Sequence, residues 1–302
     1  MRYLLRHPAR AALAGALAIA FSAILYRTAD VSPETGAFFR CAYALPALWL
    51  VVRAEERLLG PRPRSLRRPA YLAGAFFAAD LLLWHHAIEA VGAGLATVLG
   101  NTQVVIVGLI AWALFRERPA AAALAAIPIA MLGIVLISGA LEEGAYGENP
   151  PLGVLFGVLT GIAYSGFLLT LRHGAGDQRR VAGPLFDATL ASTVLILPVG
   201  LLTGDLDLVP GLEAQAWLVT LALSSQVLGW LLITVSLPRL PIVATSVLLT
   251  LQPAAAVVFA AILLGEDPSP LQLAGVVAIL AGLIVASVGR RSPAAAAVPE
   301  QA

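Results

Sequence analysis

Apolar residues run through this chain in long blocks rather than in the alternation of water-facing strands or the stripes of surface helices. Runs free of charge, or nearly so, cover 91–115, 120–141, 151–171, 214–238, 240–265 and 268–289. Four more are less clean: 11–25, 35–52 with Arg40, 69–88 with Asp80, His85 and His86, and 181–202 with Asp187. A bilayer-crossing helix needs about 20 apolar residues. Ten such spans use up nearly the whole length, so the pattern predicts an all-α polytopic membrane protein with ten transmembrane helices. The 302 residues are 59% hydrophobic and 12% charged, with a mean hydropathy of +0.87. Those values exclude a water-soluble globule and leave no room for a large extramembrane catalytic domain.

Charge placement adds an orientation. All 19 basic residues are arginine, and with the N-terminus inside, 17 of the 19 fall on inner segments. Arg27 is outer and Arg40 lies within a span, while Asp30, Glu34, Glu142, Glu143, Glu148, Asp205, Asp207 and Glu213 fall outside. The positive-inside rule then puts both ends in the cytoplasm of a bacterial-type plasma (inner) membrane. Residues 1–30 mimic a secretory signal, but nine later spans still require insertion, so the segment reads as the first span. The net charge of +1 suggests no nucleic acid and no acidic partner. Cys41 is the one cysteine, which excludes an internal disulfide and a cysteine-rich metal site. No cofactor is expected.

The chain also repeats itself. A shift of 149 residues aligns Val98-Leu99 with Val247-Leu248, Gln103 with Gln252, Glu117 with Glu266, Pro119 with Pro268 and Gly133 with Gly282. A shift of 143 aligns the stretch from Ala20 to Leu25 with that from Ala163 to Leu168, and one of 147 aligns Gly36 and Phe39 with Gly183 and Phe186. The repeats are placed at 1–141 and 150–290, with a disordered tail over 291–302. Each has five spans, an odd number, so the second enters the membrane upside down. Inverted repeats suit alternating access, in which exchanging the conformations of the two copies moves a cavity from one face to the other.

Leu263-Leu264-Gly265-Glu266, followed by Gln272-Leu273-Ala274-Gly275 and then Gly282, resembles the second repeat of the drug/metabolite transporter superfamily, EamA type. Leu251-Gln252-Pro253 matches the proline-containing middle of the preceding span. Phe115-Arg116-Glu117 and Gly133 are the first-repeat counterparts, and Arg40 sits where the family often has an arginine. The first repeat departs from the pattern at Val104, which stands opposite Pro253, so the two halves are not expected to bend alike. The resemblance covers about 11–289 and implies a ten-helix carrier of small metabolites, commonly amino acids and often outward, with both termini inside. Relatives also carry sugars, nucleotide sugars or drugs.

Asp80 lies roughly 16 Å into its span, near the bilayer midplane. A carboxylate there faces a cavity or a partner. Two readings are open: it binds a cationic group or a coupling proton, or it is a hydrogen-bonded packing residue. His85 and His86 point about 100° apart, so one serves as a proton-relay candidate and the other as a structural or interfacial group. They lack the spacing of a helical zinc motif, and no metal is expected. Arg40 either takes a substrate carboxylate or snorkels outward or to Glu34. For Asp187, a pair with Arg179 or Arg180 is the simpler reading.

Trp84 stands one turn above Asp80, and Gln226 and Trp230 repeat that polar-then-tryptophan spacing. With Tyr164, Asn101 and Gln252 they outline an aromatic, partly polar pocket for a solute of amino-acid size. Buried packing explains each pair equally well. Small-residue stripes at Gly153, Gly157, Gly161 and Ser165, and at Ala274, Ala278, Gly282 and Ala286, suit close helix packing, the latter being also a candidate homodimer seam. Glu117-x-Pro119 and Glu266-x-Pro268 read as helix starts.

These features favour a secondary transporter that exports amino acids or related metabolites, possible coupling running through protons on Asp80, His85 or His86. Its partners are a small-molecule substrate and membrane lipid. No phosphate-binding loop supports ATP hydrolysis. The rival readings are a passive channel and an intramembrane enzyme built on Asp80, His85, His86 and Glu89, for which no hydrolase motif is present.

Overall fold

The computed structural model describes residues 7–115, 121–175, 180–236 and 242–288. Among these residues there are ten helical rods and no strand. They are α1 (Pro8–Ala29), α2 (Pro33–Leu59), α3 (Arg67–Val91), α4 (93–115), α5 (Ala121–Ile137), α6 (Pro150–Ala175), α7 (Ala182–Thr203), α8 (Leu212–Ser236), α9 (242–264) and α10 (Pro270–Val288). Six of them, α1–α3 and α6–α8, are long and apolar enough to cross a bilayer, and the other four carry shorter apolar stretches. The chain is a multi-pass membrane protein, as its hydropathy predicted. Glu117, Pro119, Arg179 and the tail 291–302 lie outside the described residues.

Local chemistry sets the helix ends. At α2 the Ser32 hydroxyl accepts the Thr35 N–H, Pro33 occupies the first turn and Glu34 complements its positive end. Asn149 caps α6 through the Leu152 N–H, just before Pro150-Pro151. At α10 Ser269 and Gln272 form a reciprocal capping box around Pro270, which starts the helix there rather than at Pro268. Gly92, with φ +89°, ends α3 and lets the chain turn directly into α4.

The principal pairings of helices are related by exchange of the halves. α3 packs on α6 as α8 packs on α1, α4 on α6 as α9 on α1, and α3 on α7 as α8 on α2. Each of α2, α4 and α5 also meets its own counterpart, α7, α9 or α10. These self-pairs run antiparallel. The start of α2 meets the end of α7, where Ser32 and Thr35 donate to the Asp205 carbonyl, while Glu55 near the end of α2 accepts N–H groups at the start of α7. In the α5–α10 pair Gly133 lies against Gly275 and Gly282 against Ala126 and Ala130. Counterparts that point in opposite directions make the repeats inverted.

Small residues permit these crossings. A methyl group on Gly74 of α3 would run into the Ala188 carbonyl oxygen of α7, and one on Gly157 of α6 would lie 2.5 Å from Leu99 Cβ of α4. The α6 stripe therefore serves packing on α3 and α4, with the Ser165 hydroxyl donating to the Gly161 carbonyl within it. On α10, Gly282 and Ala286 are buried within the chain, whereas Ala274 is exposed.

The missing proline of the first repeat does not leave α4 straight. The rod is interrupted at Asn101-Thr102, where the Asn101 amide donates to the Thr97 carbonyl (2.8 Å) and the Thr102 hydroxyl to the Leu99 carbonyl (2.6 Å). Side chains that compete for backbone acceptors loosen a helix as a proline does. α9 carries Pro253 and a π-helical stretch at Ala260–Leu264, so the halves bend at related depths by different chemistry.

Candidate functional site

Five helices, α2, α3, α6, α7 and α8, bring polar and aromatic side chains to one buried cage. Its charged members are Arg40 of α2, 4% exposed, and Asp80 of α3, 7% exposed. Arg40 Nε donates to Gln226 Oε1 at 3.3 Å, and Gln226 Nε2 donates to the Thr189 hydroxyl at 3.2 Å. The guanidinium lies 5.4 Å over the Trp84 ring. The outward and Glu34-paired readings of Arg40 are thereby overturned, because Gln226 and Trp84 satisfy it inside the bundle and Glu34 meets His86 instead, at 3.2 Å.

Asp80 interacts electrostatically with both Arg40 and Tyr164. Among the described residues it accepts no hydrogen bond and has no ion pair within 4 Å. An unpaired carboxylate at membrane depth is costly, so a packing role leaves Asp80 unexplained. The cage thus holds one positive and one negative group near each other but not joined.

Its walls are aromatic. Trp230 meets Phe77, Phe167 and Tyr164 edge-on, with ring centroids 6.3, 5.4 and 6.2 Å away. The buried Trp230 Nε1–H has no acceptor among the described residues. Asp80 with Trp84 and Gln226 with Trp230 are four residues apart on repeat-related helices, and both pairs face the cage. Gln226 lies in a π-helical stretch of α8, Ala222–Gly229, whose wider turn sends Gln226 to Arg40 and the Ser225 hydroxyl to the Ala18 carbonyl of α1.

The other sequence candidates are spread more widely. His85 is fully buried, 4.1 Å from the Tyr26 ring and 5.1 Å from Trp84, and among the described residues no side chain hydrogen-bonds its nitrogens. Glu89 binds the Tyr26 hydroxyl and pairs with Arg27. His85 and Glu89 thus share Tyr26, while His86 meets Glu34 and Asp80 faces the cage. Asn101 is engaged at the α4 break, and the half-buried Gln252 makes no hydrogen bond among the described residues. Thr189 joins the cage without any sequence signal marking it.

At the arginine-rich end of the bundle the α2–α7 seam is closed by charge. Arg62 Nη1 contacts Asp187 Oδ2 at 2.5 Å, with the side chains 4% and 6% exposed, so Asp187 pairs across the loop and not with its chain neighbour Arg180. Burial pushes the Arg62 guanidinium down from its ordinary value, and Asp187 opposes that shift. Glu55 accepts the N–H groups of Val181, Ala182 and Gly183, and Arg180 donates to the carbonyls of Leu59 and Gly60. At the acidic end Glu266 caps a helix other than its own: its oxygens accept the Ala93 N–H (2.5 Å) and the Gly94 N–H (3.0 Å) of α4. Burial raises the Glu266 carboxyl, and those two amides hold it down.

An inverted pair of five-helix units closing over a buried, charged, aromatic cage is the build of a small-molecule carrier in the membrane. The EamA-like transporter family matches residues 9–139 and 151–288, and the chain belongs to that family, whose members are membrane transporters of small molecules. No curated protein matches it by sequence. A solved structure described as a crystal structure of a protein superposes with a TM-score of 0.61 at 16% identity, covering 93% of this chain and 96% of the other. At that identity the likeness concerns the fold alone.

Proposed function

We propose that the protein is a secondary transporter that exports amino acids or closely related metabolites by alternating access, with a proton carried on Asp80. The observation that carries this reading is the pair of separated, buried charges. Arg40 offers a forked donor to a carboxylate and Asp80 an acceptor to an ammonium group, while Trp84, Trp230 and Tyr164 enclose the carbon skeleton. The Trp230 indole N–H and Gln226 add polar contacts. When the cage is empty, a proton on Asp80 offsets the cost of its charge. His85, five residues further toward the acidic end, is the next titratable group along α3, and His86 with Glu34 follows.

The arginine-rich end faces the cytoplasm of a bacterial-type inner membrane in this reading, with both termini inside. The α2–α7 seam is knitted at both ends, which supports an occluded cage from which either end is released in turn. Substrate counterflow in proteoliposomes tests the proposal: labelled amino acid should accumulate against an excess of unlabelled amino acid on the other side. Thermal-shift screening with pooled amino acids, sugars and nucleosides identifies the cargo, since a ligand stabilises the fold it binds. Stabilisation by sugars or nucleosides alone refutes the amino-acid assignment.

A further inference from the structure

A cavity of about 280 Å³ lies away from the cage, at the arginine-rich end between α2, α3 and α7. Its lining includes four arginines, Arg53, Arg62, Arg67 and Arg180, and three acids, Glu55, Glu56 and Asp187. Most of these charges are already engaged. Glu55 is held by three backbone amides of α7, Asp187 by Arg62, and Arg180 reaches the Leu59 and Gly60 carbonyls. Arg53 and Glu56 form a loose pair at 3.5 Å. Arg67 differs in having no hydrogen bond and no ion pair among the described residues, and its Nε, like that of Arg62, is buried without an acceptor there. The cavity therefore holds one guanidinium that Asp187 attracts through space but that no described side chain or carbonyl contacts directly, with donors to spare. Arg62 stands close enough for the two like charges to repel.

The position of the cavity narrows what compensates Arg67. One wall is Trp49, 48% exposed, with the Arg53 guanidinium 5.8 Å over its ring, and the adjacent Leu50 is 61% exposed. A tryptophan paired with an arginine at the end of a lipid-facing span marks the headgroup level of the bilayer. Basic pockets between transmembrane helices at that level suit anionic headgroups. The volume falls just below the range of about 300–1,000 Å³ typical of small-ligand pockets, enough for a phosphodiester and its polar substituent.

We infer that this cavity is a binding site for a phosphate-bearing anion, the headgroup of an anionic phospholipid, with Arg67 as its principal ligand and Arg53 as the second. The bound headgroup bridges α2, α3 and α7 at the seam closed by Arg62 and Asp187. It is separate from the transport cage, and it stands whatever the cargo is.

Thermal unfolding of the full chain in non-ionic detergent tests the site. Short-chain phosphatidylglycerol, short-chain phosphatidylcholine and inorganic phosphate are titrated against wild type, Arg67→Gln, Arg53→Gln and Arg57→Gln. Arg57 is exposed on the same helix and lies outside the cavity lining. The expected result is a saturable rise in Tm with phosphatidylglycerol and not with phosphatidylcholine. Loss of a charge-assisted hydrogen bond weakens that response about tenfold in Arg67→Gln, and Arg57→Gln retains it. An equal response to inorganic phosphate at the same concentration, also lost in Arg67→Gln, assigns the site to the free anion, whereas a response to the lipid alone assigns it to the headgroup. Equal responses of Arg67→Gln and Arg57→Gln, or of the two lipids, overturn the inference. Should Arg67→Gln not fold, Arg53→Gln and native mass spectrometry of retained phosphatidylglycerol decide the matter, absence of any retained anionic lipid on wild type refuting it.

Discussion

Asp187→Asn leaves the Arg62 guanidinium buried with its closest charge partner gone. The two side chains are 4% and 6% exposed and 2.5 Å apart, so solvent screens their attraction little. Breaking a buried pair by removing one member typically costs about 3–5 kcal/mol, mostly the penalty of the charge left behind. Arg62 also donates to the Leu66 carbonyl at 2.7 Å, which keeps some of its solvation and places the expected loss near the lower bound, about 3 kcal/mol. Arg62→Met should cost a similar amount by stranding Asp187. The double variant Arg62→Met/Asp187→Leu removes both charges and should recover most of the loss, as apolar replacement of a buried pair is often neutral. Because the pair sits on the α2–α7 seam, the single variants should also favour the form open at that end. A bias of about 3 kcal/mol changes a two-state ratio by more than a hundredfold. A double-mutant cycle by chemical denaturation measures the stability. Alkylation of a cysteine introduced at Gly183, in a Cys41→Ala background, measures the opening. Single variants costing under about 1 kcal/mol, the range of an exposed pair, with no gain in labelling, refute the reasoning.

Three further outcomes are expected. Asp80→Asn should abolish transport driven by a pH gradient while the protein still inserts and unfolds at a normal temperature; unchanged pH-driven flux in proteoliposomes removes Asp80 from coupling. Gly74→Ala should destabilise by about 1–3 kcal/mol, because the new methyl group meets the α7 backbone and Ala191, and Tm at matched detergent checks it. The Glu266 carboxyl is raised by burial, so its contribution is fully present below the ordinary glutamate pKa, about 4.3, and is lost as pH rises through the raised value. Stability of the wild type should therefore fall over that window relative to Glu266→Gln, and parallel Tm curves for the two proteins exclude the effect.

Much of the architecture can be read from hydropathy because each span is contiguous and its apolar length is a local property. The inversion follows from counting alone, five being odd. Half of the cage was readable too, since Asp80 with Trp84 and Gln226 with Trp230 repeat one spacing on related helices. Most of what escaped depended on contacts between different helices, from 37 residues apart for Thr189 and Gln226 to 173 for Glu266 and Ala93. Thr189 is an ordinary threonine until Gln226 reaches it, and Arg62 counted only toward orientation until the fold carried it to Asp187. Glu266 beside a proline looked like the start of its own helix; the signal for its true role was Gly92-Ala93-Gly94, a start of α4 bare enough for a carboxylate to approach. The α4 break is hidden in the sequence because Asn101 reads as a pocket group and Thr102 carries no signal, whereas both act as rivals for backbone carbonyls.

The exchange of caps between α2 and α7 has a further consequence for how a passage forms at that end. Three amides of one rod and two carbonyls of the other rely on side chains borrowed across the seam, so parting the rods strips five main-chain groups at once. Hydrocarbon has nothing to offer such groups, and water does. Separation is therefore tied to flooding: the rods part only where the solution follows them in, which directs the opening toward the aqueous phase and keeps lipid tails out of the route.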